Sequence, residues 1–271
     1  MYTKEMDTKA LRKVLLEKEL RQALVNEEFI LEYQPIVEIE SGKIVAMESL
    51  VRWNHPQMGR IAPSEFIGLA EETRLIISLG ECILREACAQ CKNWQKQGVA
   101  SIKVSVNVSV VQLRQGDKFI ADIKNILDET GLAPKWLELE ITETVLMESE
   151  EVFISTLQQI HNMGIGISID DFGTGYSSLS HIKNFAVDTI KIDRSFIGDL
   201  NSSKTSEAIV KSIISLAHNL NLRVVAEGIE TEDHRCFLKE HMCDEGQGFL
   251  FSKALPVNEL IVQFLIEKEF N

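Results

Sequence analysis

Strand-length apolar runs alternate with helix-length amphipathic runs along most of this 271-residue chain. Eight runs predict strands, and they lie at 29–37, 44–53, 101–109, 136–141, 165–170, 188–193, 222–227 and 245–250. Helical runs separate most of them, and they lie at 63–97 with a break near Thr73, 117–130, 148–163, 204–219, 231–241 and 256–268, with a short link at 176–184. Such alternation is typical of a parallel sheet covered by helices, and eight strands suit a closed barrel. The sequence therefore predicts an α/β fold of the (β/α)8 barrel type.

The start of the chain departs from strict alternation. A short turn at 40–43 joins the first two predicted strands, which makes them antiparallel neighbours and reverses one strand of the barrel. An open doubly wound sheet is the alternative, but no glycine fingerprint follows the first strand. Leucines recur at helical spacing among charged residues at 7–28, which predicts an amphipathic helix. We expect residues 1–28 to form an N-terminal helix or interdomain connector and residues 29–271 to form one domain.

The composition excludes several classes of protein. Hydrophobic residues make up 45% and charged residues 25%, as in ordinary globular domains, while the net charge of −13 disfavours a nucleic acid polymer as partner. No run is apolar for long enough to span a bilayer, and residues 1–9 lack the apolar core of a secretory signal. Five cysteines, an odd number, favour reduced thiols over a disulfide framework. We expect a cytoplasmic domain without a membrane segment, although further domains of a longer protein could tether it to a membrane.

Two adjacent acids, Asp170 and Asp171, end an apolar run, and a glycine-rich loop follows them. Neighbouring side chains of a strand point to opposite faces, so these acids reach separate targets where the strand stops and the backbone turns. Gly173 and Gly175 give that turn its freedom. An acid pair at a strand end suits one or two hard cations, and a solvated turn is the alternative.

Polar residues recur at or near the ends of other predicted strands. They are Asn107, Glu138, Glu140, Lys191, Asp193, Glu227 and Glu230. A salt bridge explains each acid alone equally well, but parallel barrel strands end at one face, so together they predict an anionic cup around one lysine. Oxygen ligands select Mg²⁺, Mn²⁺ or Ca²⁺ over zinc, and two such cations suit phosphoryl chemistry, with the lysine orienting or deprotonating a water. The residues alone therefore predict a metal-dependent phosphohydrolase of unknown substrate.

A series of spaced motifs runs from about residue 29 to residue 265. The motifs are YQPIV at 33–37, ESLVRW at 48–53, HP at 55–56, VNVS at 106–109, ELEITE at 138–143, DDFGTGYSSL at 170–179, KIDRSF at 191–196, AEGIE at 226–230 and QGF at 247–249. In this order they resemble the EAL-domain cyclic di-GMP phosphodiesterases. Because many motifs occur in the family's order, the resemblance is very specific.

The resemblance implies a TIM-like barrel with one antiparallel strand, in agreement with the strand pattern. It also implies hydrolysis of cyclic di-GMP to linear pGpG at a two-metal site that uses Mg²⁺ or Mn²⁺, with Ca²⁺ expected to inhibit. The alternative is a catalytically silent cyclic di-GMP receptor. Degenerate relatives usually lose metal ligands or the loop after the acid pair, and this chain keeps both. Family members often dimerise, so a homodimer is expected.

The same resemblance assigns a role to individual residues. The implied metal ligands are Glu48, Asn107, Glu140, Asp170, Asp171 and Glu227, with Asp170 bridging two metals. The implied catalytic residues are Lys191 at the attacking water, Glu227, Asp193 near the metal waters, and Glu143 as anchor of the loop that follows the acid pair. The implied substrate-binding residues are Gln34, Leu50, Arg52, Asp193, Glu230 and Gln247.

A few residues depart from the family pattern. Ser49 stands in the signature triplet where alanine is usual, so its hydroxyl needs a partner, and Arg74 stands where glycine is usual. Neither is an implied metal ligand, so these departures concern local packing. Residues 1–28 resemble the connector that often follows a GGDEF domain, and we expect upstream regulatory domains outside this chain.

Overall fold

The computed structural model describes residues 4–98, 102–147, 151–175, 185–200 and 202–260. Its strands are β1 (Phe29–Glu38), β2 (Ile44–His55), β3 (Gly59–Ile61), β4 (Lys103–Asn107), β5 (Leu137–Thr142), β6 (Gly166–Phe172), β7 (Thr189–Ile192), β8 (Arg223–Ala226), β9 (Glu245–Gly246) and β10 (Leu255–Pro256). Eight of them follow one another around a barrel in the order β1-β9-β8-β7-β6-β5-β4-β2, and the pairing of β2 with β1 closes the ring.

One strand of the barrel runs against the others. β1 is antiparallel to both of its neighbours, β2 and β9, whereas the other neighbouring strands of the ring pair in parallel. The short turn at 40–43 causes the reversal, because a tight hairpin joins only antiparallel strands. β3 pairs with the end of β2, and β10 pairs with the start of β1, both outside the ring. The predicted barrel with one antiparallel strand is confirmed.

Helices cover the outside of the barrel. They are α1 (Lys4–Val25), α2 (Pro63–Glu72), α3 (Ile76–Lys96), α4 (Val110–Leu113), α5 (Asp117–Thr130), α6 (Glu143–Met147), α7 (Glu151–Asn162), α8 (Arg194–Gly198), α9 (Lys204–Asn219) and α10 (Glu232–Glu240). The predicted helices at 117–130 and 204–219 are confirmed, and the 63–97 run divides near Thr73 as expected. The predicted link at 176–184 lies outside the described residues, as does most of the predicted helix at 256–268.

The sequence pattern missed several short elements and one strand end. α4, α6 and α8 have five residues or fewer, which is too short for helical periodicity to appear. The predicted strand at 245–250 ends at Gly246. Beyond that residue the backbone pairs with the loop after β8, where Ile229 N–H donates to Gln247 O and Leu250 N–H donates to Ile229 O.

The break between α2 and α3 contains a left-handed residue. Arg74 has a φ of 61°, and its N–H donates to Glu71 O. A side chain in this conformation costs roughly 1–2 kcal/mol relative to glycine. Arginine therefore weakens this turn, which lies on the outside of the barrel.

The interior of the barrel is polar at the end where the parallel strands begin. Glu138 of β5 is buried there and accepts hydrogen bonds from Lys103 Nζ at 3.0 Å and from Arg223 Nη2 at 3.2 Å. The prediction that Glu138 belongs to the anionic cup is therefore wrong, because it lies near the start of β5 and not near its end. Ile36, Ala46 and Val225 form a small apolar cluster apart from the main core. Side chains two residues apart on a strand share a face, so this cluster lies on the strand faces that carry the predicted site residues.

The second half of α1 packs against the domain. Leu16, Leu20 and Ala23 are buried in the main core, and Glu19 Oε2 lies 2.6 Å from His55 Nε2 at the end of β2. The predicted amphipathic helix is confirmed, although the role of residues 1–28 as a connector stays a prediction. Among the described residues, no helix combines the length and the apolar character needed to cross a membrane.

Candidate active site

Acidic side chains meet at the end of the barrel where its parallel strands end. Glu48 comes from β2, Glu140 from β5 and Asp170 from β6, while Glu227 directly follows β8. The carboxyl ends of neighbouring parallel strands share one edge, so residues far apart in sequence come together there. Their side chains surround Lys191 of β7. We call these four acids and the lysine the acidic cup.

Lys191 lies at the centre of the acidic cup and is 1% exposed. Its Nζ is 2.7 Å from Glu140 Oε2 and from Glu227 Oε1, and it is 3.4 Å from Glu48 Oε2 and from Asp170 Oδ1. Burial acts to lower the pKa of Lys191, but the surrounding carboxylates outweigh it and hold this pKa well above its ordinary value. The four carboxylates therefore favour the charged form of the lysine, and its ammonium is placed to interact with a water bound among them.

Crowding raises the pKa of several acids. Burial, then the charge of Glu48, hold the pKa of Glu140 well above its ordinary value. Burial raises the pKa of Glu227 to about 8, and burial with the neighbouring Asp170 raises the pKa of Asp171 to about 6. One lysine does not offset so many carboxylates, so additional positive charge would stabilise their ionised forms.

Two amides organise the carboxylates. Gln247 Nε2 donates to Glu48 Oε2 at 2.7 Å and to Glu227 Oε1 at 3.0 Å, and Asn107 Nδ2 donates to Glu48 Oε1 at 2.9 Å. Burial acts to raise the pKa of Glu48, but Lys191 and these amide donors lower it on balance. Glu48 therefore stays ionised while its neighbours are pushed toward protonation.

The acids fit a divalent cation. Asp170, Asp171 and Glu227 each place one carboxylate oxygen within 4.8 Å of the others, which is the spacing of ligands around one ion. Glu140 Oε1 is buried and has no hydrogen-bond partner among the described residues, so this oxygen is also suited to a cation. An oxygen-only donor set favours Mg²⁺ or Mn²⁺ over zinc. Three of the six predicted metal ligands therefore lie at ligand spacing, and the full ligand set stays a prediction.

The loop after the acid pair is tied to α6. Glu143 is buried, and its Oε2 accepts hydrogen bonds from Gly173 N–H at 2.9 Å and from Gly175 N–H at 3.2 Å. A Cβ at Gly175 would lie 2.7 Å from a Glu143 oxygen, so a larger residue there would displace the Glu143 carboxylate. Asp171 has a left-handed φ of 54°, which interrupts the regular pairing of β6 with β7 between Ile169 and Phe172. Glu143 thus occupies the position expected of a loop anchor.

A cavity of about 390 Å³ opens above the acidic cup. The predicted site residues that line it are Gln34, Glu48, Leu50, Asp170, Asp171, Asp193, Glu227, Glu230 and Gln247. Asn107 lines a second, mainly apolar cavity of about 300 Å³, and Leu50 borders both cavities. Glu140 and Lys191 are buried in the cup. Arg52 lines neither of these two cavities and lies beyond Leu50 on β2.

Asp193 links the cup to the next helix. It is the N-cap of α8, and its Oδ1 accepts the Ser195 N–H at 3.0 Å as well as the Ser195 hydroxyl. Burial acts to raise the pKa of Asp193, but these hydrogen bonds lower it on balance. This side chain is therefore oriented and ionised at the edge of the cavity.

The sequence interpretation missed two residues that line the cavity and one that lies beside it. Arg194 and Phe249 line the cavity, and the Phe249 ring is conspicuous because it is 60% exposed. Glu32 forms an ion pair with Arg52. Its position two residues before Gln34 on β1 was a signal, since the two share a strand face. The departure at Ser49 is accommodated, because the Ser49 hydroxyl donates to Ser105 O at 2.8 Å.

The fold and the site together define a (β/α)8-barrel protein with an acidic, oxygen-only site suited to divalent cations at the ends of its strands. The chain belongs to the EAL domain family, which matches residues 17–254.

Named relatives and solved structures agree with this assignment. The cyclic di-GMP phosphodiesterase NbdA of Pseudomonas aeruginosa is 39% identical over 259 residues, which cover 96% of this chain and 33% of the relative. The cyclic di-GMP phosphodiesterase PdeR of Escherichia coli is 37% identical over 256 residues, which cover 94% and 38%. A structure of the PaMucR phosphodiesterase in complex with c-di-GMP is 42% identical, with a TM-score of 0.87, and the match covers 91% of this chain and 99% of that chain. The chain spans about a third of the length of the curated relatives.

Proposed function

We propose that this domain hydrolyses one phosphodiester bond of cyclic di-GMP and releases linear pGpG. One observation carries the proposal: four carboxylates surround a buried lysine, and two of them, Asp170 and Glu227, form with Asp171 a cluster that fits a divalent cation. Membership of the EAL domain family supports it, as do relatives named as cyclic di-GMP phosphodiesterases.

The proposed metal ligands fall into two sets. Glu48, Asn107, Glu140 and Asp170 would hold one Mg²⁺ or Mn²⁺, and Asp170 would bridge to a second held with Asp171 and Glu227. Such ions lower the pKa of a bound water and neutralise charge that develops on phosphoryl oxygens. Ca²⁺ is larger and more loosely coordinated, so we expect it to occupy the site and inhibit turnover.

The side chains of the cup would position the reacting groups. The Lys191 ammonium donates hydrogen bonds, so it would orient the attacking water toward phosphorus and stabilise negative charge that grows there. Asp193, held by Ser195, would accept a hydrogen bond from a water at the cavity edge. Gln34, Leu50 and Arg52 would contact the nucleotide.

Turnover of cyclic di-GMP tests the proposal directly. The protein is stripped of metal with a chelator, then supplied with Mg²⁺, Mn²⁺ or Ca²⁺, and products are separated by chromatography. We expect pGpG with Mg²⁺ and Mn²⁺ and none with Ca²⁺ or chelator. Tight nucleotide binding without product under every condition would identify a silent receptor instead. Homodimerisation stays a prediction, which light scattering of the same sample checks.

Metal affinity is expected to rise with pH. The pKa values of Asp171, about 6, and Glu227, about 8, lie above their ordinary values. Between pH 6 and 8 both acids are therefore partly protonated before a cation binds. Cations bind the deprotonated carboxylates, so the dissociation constant should fall up to about tenfold per pH unit for each proton released. Calorimetric titration with Mn²⁺ from pH 6 to 8, in buffers of different ionisation enthalpy, measures the protons. A pH-independent affinity without proton release would contradict the ligand assignment.

The Glu143→Ala substitution is expected to loosen the loop after the acid pair. Two backbone N–H groups would lose a charged acceptor worth about 1.5 kcal/mol or more each, and a misplaced Asp171 should lower turnover roughly 10- to 100-fold. Initial rates and Mn²⁺ affinity measure this effect. Glu151→Ala removes an exposed acid from α7 and serves as the control. Unchanged rate and metal affinity in Glu143→Ala would exclude the anchor role.

A further inference from the structure

Three charged side chains form an ion-pair cluster beside the candidate active site. Glu32 of β1 is 4% exposed and accepts a hydrogen bond from Arg52 Nε at 3.0 Å through its Oε2. Its other oxygen, Oε1, contacts the Arg60 guanidinium of β3. Arg52 Nη1 also donates to Val51 O at 3.0 Å. The single buried carboxylate therefore holds two arginines, and Arg52 is fixed from two sides.

The cluster faces the same side as the acidic cup. Side chains two residues apart on a strand share a face, so Arg52 follows Glu48 and Leu50 on β2. On the neighbouring strand, Glu32 shares a face with Gln34, and Glu32 pairs in register with Leu50. Both Gln34 and Leu50 line the cavity above the cup. Because β2 ends and β1 begins at this edge of the barrel, the arginines lie just beyond the cavity wall.

The cluster supplies positive charge next to a strongly acidic site. Among the described residues, Arg52 Nη2 has no hydrogen-bond partner, so the N–H groups of this nitrogen are available to a ligand. A phosphate oxygen or an acceptor atom of a guanine suits such donors. Arg60 is 50% exposed and reaches the same carboxylate from the outer strand. A flexible arginine loses rotamer entropy when it binds a ligand, and an arginine already held in place loses less.

We propose that Glu32 is a positioning residue for substrate binding, and that it acts, with Arg60, by holding the Arg52 guanidinium toward the cavity. The inference rests on the proposed function, because the ligand it serves is cyclic di-GMP. The effect belongs to binding, because the ion pairs of Glu32 among the described residues join it to Arg52 and Arg60 and not to the groups around Lys191.

A double-mutant cycle tests the proposal. Glu32→Gln keeps the shape of the side chain but removes the charge that aligns both arginines. We expect KM to rise about tenfold with kcat within about twofold, the pattern of lost uniform binding. Arg52→Gln should raise KM at least as much. The double variant should match Arg52→Gln alone, because Glu32 acts only through Arg52. Binding of cyclic di-GMP in Ca²⁺ should weaken in parallel.

A matched control lies at the other end of the barrel. Glu138 is also a buried acid held by two cations, Lys103 and Arg223. Glu138→Gln should lower the melting temperature but leave KM unchanged. Arg60→Gln tests the same cluster if Glu32→Gln proves unstable, because Arg60 is half exposed and its replacement should not disturb folding. We expect Arg60→Gln to raise KM about twofold to threefold.

The outcomes separate the inference from the proposed function. Hydrolysis by the unmodified protein, with unchanged KM in Glu32→Gln and Arg60→Gln, would overturn the positioning role and leave the function intact. Additive effects in the cycle would overturn it as well, because Glu32 would then act independently of Arg52. A protein that neither hydrolyses nor binds cyclic di-GMP would overturn both.

Discussion

Replacing Lys191 with methionine is expected to lower the hydrolysis of cyclic di-GMP by about 10³-fold or more. Methionine has nearly the same length but removes the ammonium that lies within 3.4 Å of four carboxylates. The attacking water would lose its donor, and the acids would take up protons at neutral pH because their mutual repulsion is no longer offset. Single-turnover rates at saturating Mg²⁺ measure the loss without contributions from product release.

Lys103→Met provides the matched control. Lys103 also points into the barrel interior and pairs with Glu138, but it lies at the end where the strands begin. The same substitution there should cost stability and leave the rate unchanged. If Lys191→Met kept a rate within about tenfold of the unmodified protein while folding normally, water orientation by this lysine would be wrong.

The sequence predicted the fold well because its signals are local. Apolar alternation predicted β4, in which Val104 and Val106 are buried, while Asn107 at the end of the strand is exposed. The turn at 40–43 was enough to predict the reversed strand. Parallel strands end at one face of a barrel, so acids at strand ends were expected to meet. Asp170 and Glu140 do meet there, on either side of Lys191.

The connections between distant side chains were beyond sequence reasoning. Gln247 bridges Glu48 and Glu227, and the Gln247–Glu48 pair is separated by 199 positions in the chain. Such contacts depend on the register in which the barrel closes, and periodicity within one strand does not determine that register. Glu32 and Arg52 are an example on neighbouring strands: each looks like an ordinary charged residue, and their ion pair appears only when β1 and β2 pair in register.

Asp170→Asn is expected to abolish most of the metal affinity and to lower turnover by about 10³-fold. Asp170 and Glu227 both touch Lys191 and belong to the cluster with Asp171, and of these two Asp170 is the proposed bridging ligand. An amide keeps the shape and one neutral oxygen but loses the negative charge that a hard cation requires. If Asp170 bridges two ions, Asp170→Asn should lower both metal affinity and turnover more than Asp171→Asn, because Asp171 belongs to only one of the two ligand sets. Calorimetry with Mn²⁺ and rates across a metal titration measure both quantities.

Asp188→Asn is the control for this substitution. It shows whether the loss of a carboxylate elsewhere in the barrel has the same effect as its loss in the acidic cup. Asp188 precedes β7 at the opposite end, where its Oδ2 accepts the Ile167 N–H at 2.9 Å and its Oδ1 lies 3.2 Å from His161 Nε2. Asp188→Asn should lower stability by about 1 kcal/mol and leave metal affinity unchanged. A bridging ligand also aligns the reacting groups, so the lower rate of Asp170→Asn should persist at saturating metal. Full recovery of the rate at high metal concentration would show instead that Asp170 contributes only to metal affinity.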